Sequence, residues 1–132
     1  MTQIRAAPVC VQSSIPRVDN NLKIDFLSAR DKEFFESSKQ ATKAHGPENA
    51  KKLRRRLDDL DAAQSMEDMR HLAGHWEELK NERAGQFSAR LHGGFRLIVK
   101  PQKQPPPSKP DGGLDWPAID SIYIVEMVDY HD

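Results

Sequence analysis

The hydrophobic period of this chain changes from helical to alternating in mid-sequence, and that change limits the fold more than any single motif. Between Phe34 and Leu72 apolar residues recur at helical spacing; from Trp76 onward they recur at every second position. Ala50, Leu53, Leu57 and Leu60 trace one stripe of a helix. Phe87, Ala89 and Leu91 alternate with Gln86, Ser88 and Arg90, as on a half-buried strand. Helices first and strands afterwards imply an α+β domain, with a helical hairpin packed on one face of a mainly antiparallel sheet of about four strands.

Local signals place the elements. Residues 1–21 are polar, broken by Pro8 and Pro16, and read as a flexible N-terminal arm; residues 22–132 read as a single domain. Leu22–Leu27 alternates and suggests a short strand. Ser28 followed by Asp31 is a capping signal, so a helix is expected from there to about His45. Gly46-Pro47 ends it, and Pro47 suits the first position of the next helix. Met66, Met69 and Leu72 suggest one more short turn that fills the core. A strand is expected over Trp76–Lys80, then a hairpin of Gln86–Leu91 and Phe95–Lys100 around the His92-Gly93-Gly94 turn. The Pro/Gly-rich stretch 101–117 reads as a loop, and Ile119–Val128, apolar on both faces, as a central strand.

Composition narrows the function classes. The chain has 132 residues, 30% charged and 37% hydrophobic, with a formal net charge of +0. That balance suits one soluble domain and argues against strong non-specific nucleic-acid binding. No apolar run approaches the roughly 20 residues of a membrane span, and nothing resembles a secretory signal, so a cytoplasmic location and no membrane partner are expected. Cys10 is the only cysteine, which leaves no internal disulfide and no cysteine zinc site. His71, His75 and His92 lack metal-site spacing, and no cofactor motif is present. The run Lys51, Lys52, Arg54, Arg55, Arg56 is either the solvated face of a helix or a local RNA contact.

The residues able to do chemistry gather late in the chain. The hairpin carries Arg90 and Arg96 on strands, and the last strand runs into Asp129-Tyr130-His131. A guanidinium, an aromatic ring and an imidazole on one sheet are what cleavage at an RNA phosphate needs. Arg96 is the candidate phosphate ligand, or else a surface arginine balanced by a carboxylate. Lys80 and Arg83 are further phosphate candidates, or solvated cations. His131 titrates near neutrality and suits an acid or base, though a histidine so near a chain end is usually just exposed. Tyr130 stacks on a base or packs at the sheet edge, and Asp129 orients His131 or merely ends the strand. Glu77 and Glu78 straddle two faces of their strand, and the one facing RNA is a candidate general base.

These runs resemble a known family. Glu77-Glu78-Leu79-Lys80-Asn81-Glu82-Arg83-Ala84-Gly85-Gln86-Phe87-Ser88, Phe95-Arg96-Leu97-Ile98, Gly112-Gly113-Leu114-Asp115-Trp116 and Ile124-Val125-Glu126-Met127-Val128-Asp129-Tyr130-His131 are similar to the HigB branch of the RelE/ParE toxin superfamily. The resemblance implies a microbial-RNase-like fold and the toxin of a type II toxin–antitoxin pair. It implies a ribosome-dependent mRNA endonuclease that works without metal or cofactor. Its partners would be mRNA on the ribosome and a helix-turn-helix, HigA-like antitoxin, with operator DNA reached only through the antitoxin. Lys80 and Arg96 would contact phosphate, with Arg83 and Arg90 as further RNA contacts, and Asp129, Tyr130 and His131 would line the active site. Members often carry histidine where this chain has Glu77; glutamate is chemically able to replace it as base. The same superfamily also holds gyrase inhibitors of the ParE kind, and a member that only binds its antitoxin is a third possibility.

Overall fold

The computed structural model describes residues 21–129. The arm at 1–20, with Cys10, and the candidates Tyr130 and His131 lie outside the described residues. The elements run β1 (Lys23–Phe26), α1 (Ala29–Glu36), α2 (Ser38–His45), α3 (Pro47–Ala62), a 3-10 turn (Met66–His71), β2 (Glu77–Glu78), a 3-10 turn (Asn81–Arg83), β3 (Phe87–Arg90), β4 (Phe95–Pro101), a 3-10 turn (Trp116–Ala118) and β5 (Ser121–Asp129). They form a five-stranded sheet in the order β1-β5-β4-β3-β2. β1 pairs with β5 in parallel, and the other pairs are antiparallel. Each of the five strands overlaps a segment that the sequence marks as a strand.

Capping residues set the helix boundaries. Ser28 accepts from the Asp31 N–H at 3.0 Å, as its spacing predicts. The single helix expected over 28–45 is two helices. Ser37 takes extended backbone angles, and its hydroxyl accepts from the Gln40 N–H at 3.1 Å, which starts α2 afresh. Ser37-x-x-Gln40 has the spacing of a second capping box. Helix α3 buries Ala50, Leu53, Leu57 and Leu60 against the sheet, the stripe read from the sequence. Met66 and Met69 are fully buried beneath the 3-10 turn, while Leu72 is 42% exposed rather than core filler.

The core lies between these helices and one sheet face: Phe87, Ala89, Leu97, Val99, Ile122 and Ile124 belong to it. Burying such side chains supplies about 1.5–3 kcal/mol each, so this face fixes the register of the strands. The other face carries Glu77, Arg90 and Arg96.

Two features of the sequence reading change. The strand expected over 76–80 is only Glu77–Glu78; a single further bond, Leu79 N–H to the Gln86 carbonyl at 2.8 Å, follows it. Lys80 opens a 3-10 turn in which Asn81 takes a left-handed φ of 60°, and that turn ends the pairing. In the 101–117 segment, Pro101 closes β4, Trp116 starts a 3-10 turn, and Ser108 bridges Leu114, so the loop is structured locally.

Arg56 departs from the solvated-face reading of the basic run: only 8% is exposed, and its Nε donates to the Arg90 carbonyl at 3.2 Å. Burial holds its pKa below the usual arginine value, offset in part by Asp59. Gly74 makes room for it. A Cβ there would stand 2.6 Å from Arg56 Nε, and the φ of +114° disfavours any side chain.

Candidate RNA-cleavage site on the open sheet face

Strand alternation alone would put Ile122, Ile124, Glu126 and Val128 on one face. A bulge prevents this. The β4–β5 register steps from Val99↔Ile124 to Ile98↔Glu126, leaving Val125 as the extra residue. Before the bulge, Ile122 and Ile124 point into the core; after it, Met127 does, and Glu126 and Val128 move to the open face. The bulge thus delivers a carboxylate onto the face that holds the arginines. It also puts Asp129 opposite Phe95, whose ring packs on the helical side, so Asp129 is not on the arginine face.

Two cross-strand rows build the site. In the first, Arg90 on β3 stands directly opposite Arg96 on β4, whose other neighbour is Val128 on β5. The Arg90 N–H bonds the Gly74 carbonyl at 2.6 Å and its carbonyl accepts from Arg56, so both backbone groups point away from β4. Arg90 and Arg96 are therefore a non-hydrogen-bonded pair, the kind whose Cα atoms approach to about 4.5 Å. Like charges so placed repel, and a fold that keeps them gains nothing in stability from the pairing.

The second row runs Glu77, Ser88, Ile98, Glu126 across β2, β3, β4 and β5. Two ion pairs cross it. Arg96 reaches Glu77 at 3.4 Å, and Arg83 reaches Glu126 at 2.7 Å while its other amino group donates to Gln86 at 3.0 Å. Ser88 and Ile98, in the middle of the row, are 0% exposed although they face away from the core. Further along, Lys100 Nζ lies 6.0 Å from the Tyr123 ring centre. Five cations on this face (Lys23, Arg83, Arg90, Arg96, Lys100) stand against three carboxylates (Asp25, Glu77, Glu126), so the face carries two positive charges net.

Glu78 points the other way. One of its oxygens accepts from the Trp116 indole N–H at 2.6 Å and the Leu114 N–H at 3.2 Å. It locks the Gly112–Trp116 loop to β2 and leaves its neighbour Glu77 to face the arginines.

The structure thus brings together Glu77, Arg83, Arg90 and Arg96. Lys80 is exposed where β2 meets its turn, at the rim beside Arg83. Sequence reasoning gave no role to Ser88, Gln86 or Glu126. The one available signal was a carboxylate, Glu126, inside an otherwise apolar strand. Among the described residues no group of three or more His, Cys, Asp or Glu is arranged to hold a metal ion, and no helix is long and apolar enough to cross a membrane.

The family model for the RelE-like toxin of the type II toxin–antitoxin system HigB matches residues 24–104. This chain belongs to the RelE-like HigB toxins. The match takes in β1 through β4, and so Glu77, Arg83, Arg90 and Arg96. No curated protein sequence matches the chain. Among solved structures, a YoeB/ParE toxin from Agrobacterium tumefaciens is similar, at 14% identity and a TM-score of 0.50, covering 83% of this chain and 100% of that one. The YoeB–YefM complex and the YoeB dimer, both from Staphylococcus aureus, each match at 20% identity and a TM-score of 0.48, covering 85% of this chain and 99% of that one. The Agrobacterium likeness agrees with the α+β toxin fold described here.

Proposed function

We propose that this toxin is an mRNA endonuclease that acts on the ribosome and cuts by attack of a ribose 2′-hydroxyl on the neighbouring phosphate. The observation that carries the reading is the Arg90–Arg96 pair beside Glu77 on the open face. Two guanidiniums held side by side are a poor stabilising device and a good clamp for a phosphate whose charge grows in the transition state.

In this reading Glu77 takes the 2′-hydroxyl proton, the 2′-oxygen bonds to phosphorus, and the phosphorus–O5′ bond breaks. Arg96 and Arg90 hold the non-bridging oxygens. His131 gives the O5′ its proton, Tyr130 stacks on an adjacent base, and Lys80 holds a flanking phosphate. The products are a 2′,3′-cyclic phosphate and a 5′-hydroxyl, with one proton taken up and one released. Neutralisation falls to a cognate helix-turn-helix antitoxin of the HigA kind, which carries the toxin to operator DNA.

The test is mapping of 5′ ends on a defined mRNA in a purified translation system, with and without ribosomes. Wild type should produce new ends only with ribosomes, and Arg96→Ala and His131→Ala should not. Growth arrest by wild type with no new ends, and with gyrase supercoiling inhibited, would replace this reading by the ParE-like one.

A further inference from the structure

Two observations on the open face go beyond the clamp. Among the described residues, Ser88 Oγ is buried with no hydrogen-bond partner. Its neighbours in the row end at Glu126, which holds Arg83 at 2.7 Å. Arg83 starts in the turn between β2 and β3, yet its partner lies on β5. The ion pair therefore spans the row whose β3 and β4 members, Ser88 and Ile98, are both 0% exposed. Native folds seldom leave a buried hydroxyl unpaired, because its lost hydration is not repaid. Gln86 fixes one amino group of Arg83, so the guanidinium is held in place by a neutral residue independently of Glu126.

We infer that Arg83, Gln86 and Ser88 form a second anion subsite for a phosphate of single-stranded RNA, filled in the free protein by the Glu126 carboxylate. This rests on the nuclease reading for its ligand. One carboxylate oxygen accepts from the guanidinium, as a phosphate oxygen would. A phosphate that displaces Glu126 from Arg83 brings an acceptor to the face that holds the Ser88 hydroxyl. Glu77 and Glu126 lie three strand spacings apart, or about 14 Å at Cα, so the subsite takes a phosphate flanking the one held by Arg96. Self-occupancy also agrees with the +0 net charge: the free protein offers bulk polyanions one cation fewer.

The experiment is fluorescence anisotropy with a short labelled 2′-O-methyl oligoribonucleotide, which binds but cannot be cut. Glu126→Gln should bind about two- to fivefold tighter than wild type, the gain expected from releasing an exposed ion pair. Arg83→Gln should bind more weakly, with a salt slope lower by about one. The double variant should match Arg83→Gln. Ser88→Ala should raise the urea midpoint while weakening binding, whereas a purely structural serine would not separate the two. Affinity unchanged or lowered in Glu126→Gln, with Arg96→Ala still impaired, would overturn the subsite and leave the RNA reading standing. Binding indifferent to Arg96, Arg83 and Glu126 alike would overturn both. The urea midpoints identify any variant that fails to fold.

Discussion

Glu78 is the residue whose replacement tests the structural argument most sharply. Strand β2 has only two residues, and one of them is Glu77. What holds it is the Glu78 carboxylate, which accepts from the buried Trp116 indole and the Leu114 N–H through the same oxygen. Bonds to a charged acceptor contribute about 1.5–3 kcal/mol, against about 1 for a neutral one. Glu78→Gln keeps the accepting oxygen and loses only the charge, so it should cost about 1 kcal/mol. Glu78→Ala strands two donors, each costing about 1–3 kcal/mol, so the loss should be about 2–6 kcal/mol. At about 4 °C per kcal/mol for a domain this size, Tm should fall by about 4 °C and by about 8–24 °C. Urea and thermal denaturation of both variants, with Trp116→Phe closing a double-mutant cycle, measure it. Equal, sub-kcal losses in the Gln and Ala variants would refute the claim that this carboxylate anchors the loop to β2.

Four other outcomes are expected. Arg96→Ala should lower cleavage by about 100-fold or more, read as kcat in a single-turnover assay, since it removes a charge aimed at the phosphate. Gly74→Ala should destabilise by about 1–3 kcal/mol in urea titration, from the left-handed φ and the 2.6 Å approach to Arg56, and should displace Arg90. Leu60→Ala should cost about 2–5 kcal/mol by the same titration, because Leu60 is fully buried. The Asp111 carboxyl is held below its usual pKa by the Gly113 N–H and then by Lys109. Its contribution is present above the unfolded value of about 3.9 and fades as pH falls through the lower native one, so Asp111→Asn should flatten the urea midpoint in that acid window.

Much of the fold was legible because local and global signals agreed. Ser28 caps where its spacing said, the α3 stripe is buried, and the hairpin alternation puts Arg90 and Arg96 on the face away from the helices. Gly93, with φ of +66°, turns that hairpin. The break at Ser37 was written as Ser37-x-x-Gln40 but hidden by apolar spacing that continues across it. Arg56 looked solvated because it sits in a run of charges; only the tertiary approach of Gly74 and β3 buries it. The largest miss is the bulge at Val125. Both alternation phases of 119–128 are apolar, so nothing in the sequence reveals that the phase flips. For that reason Glu126 arrives on the arginine face, and Asp129, expected to line the active site, stands opposite Phe95 instead.

The central claim is that this open face directs a 2′-hydroxyl onto a phosphate. It is tested most directly by a single 2′-deoxynucleotide placed at the mapped cleavage position of an mRNA programmed on ribosomes. The account predicts that cutting at that position disappears while the all-ribose mRNA yields a 2′,3′-cyclic phosphate end. Undiminished cutting of the substituted mRNA would contradict it.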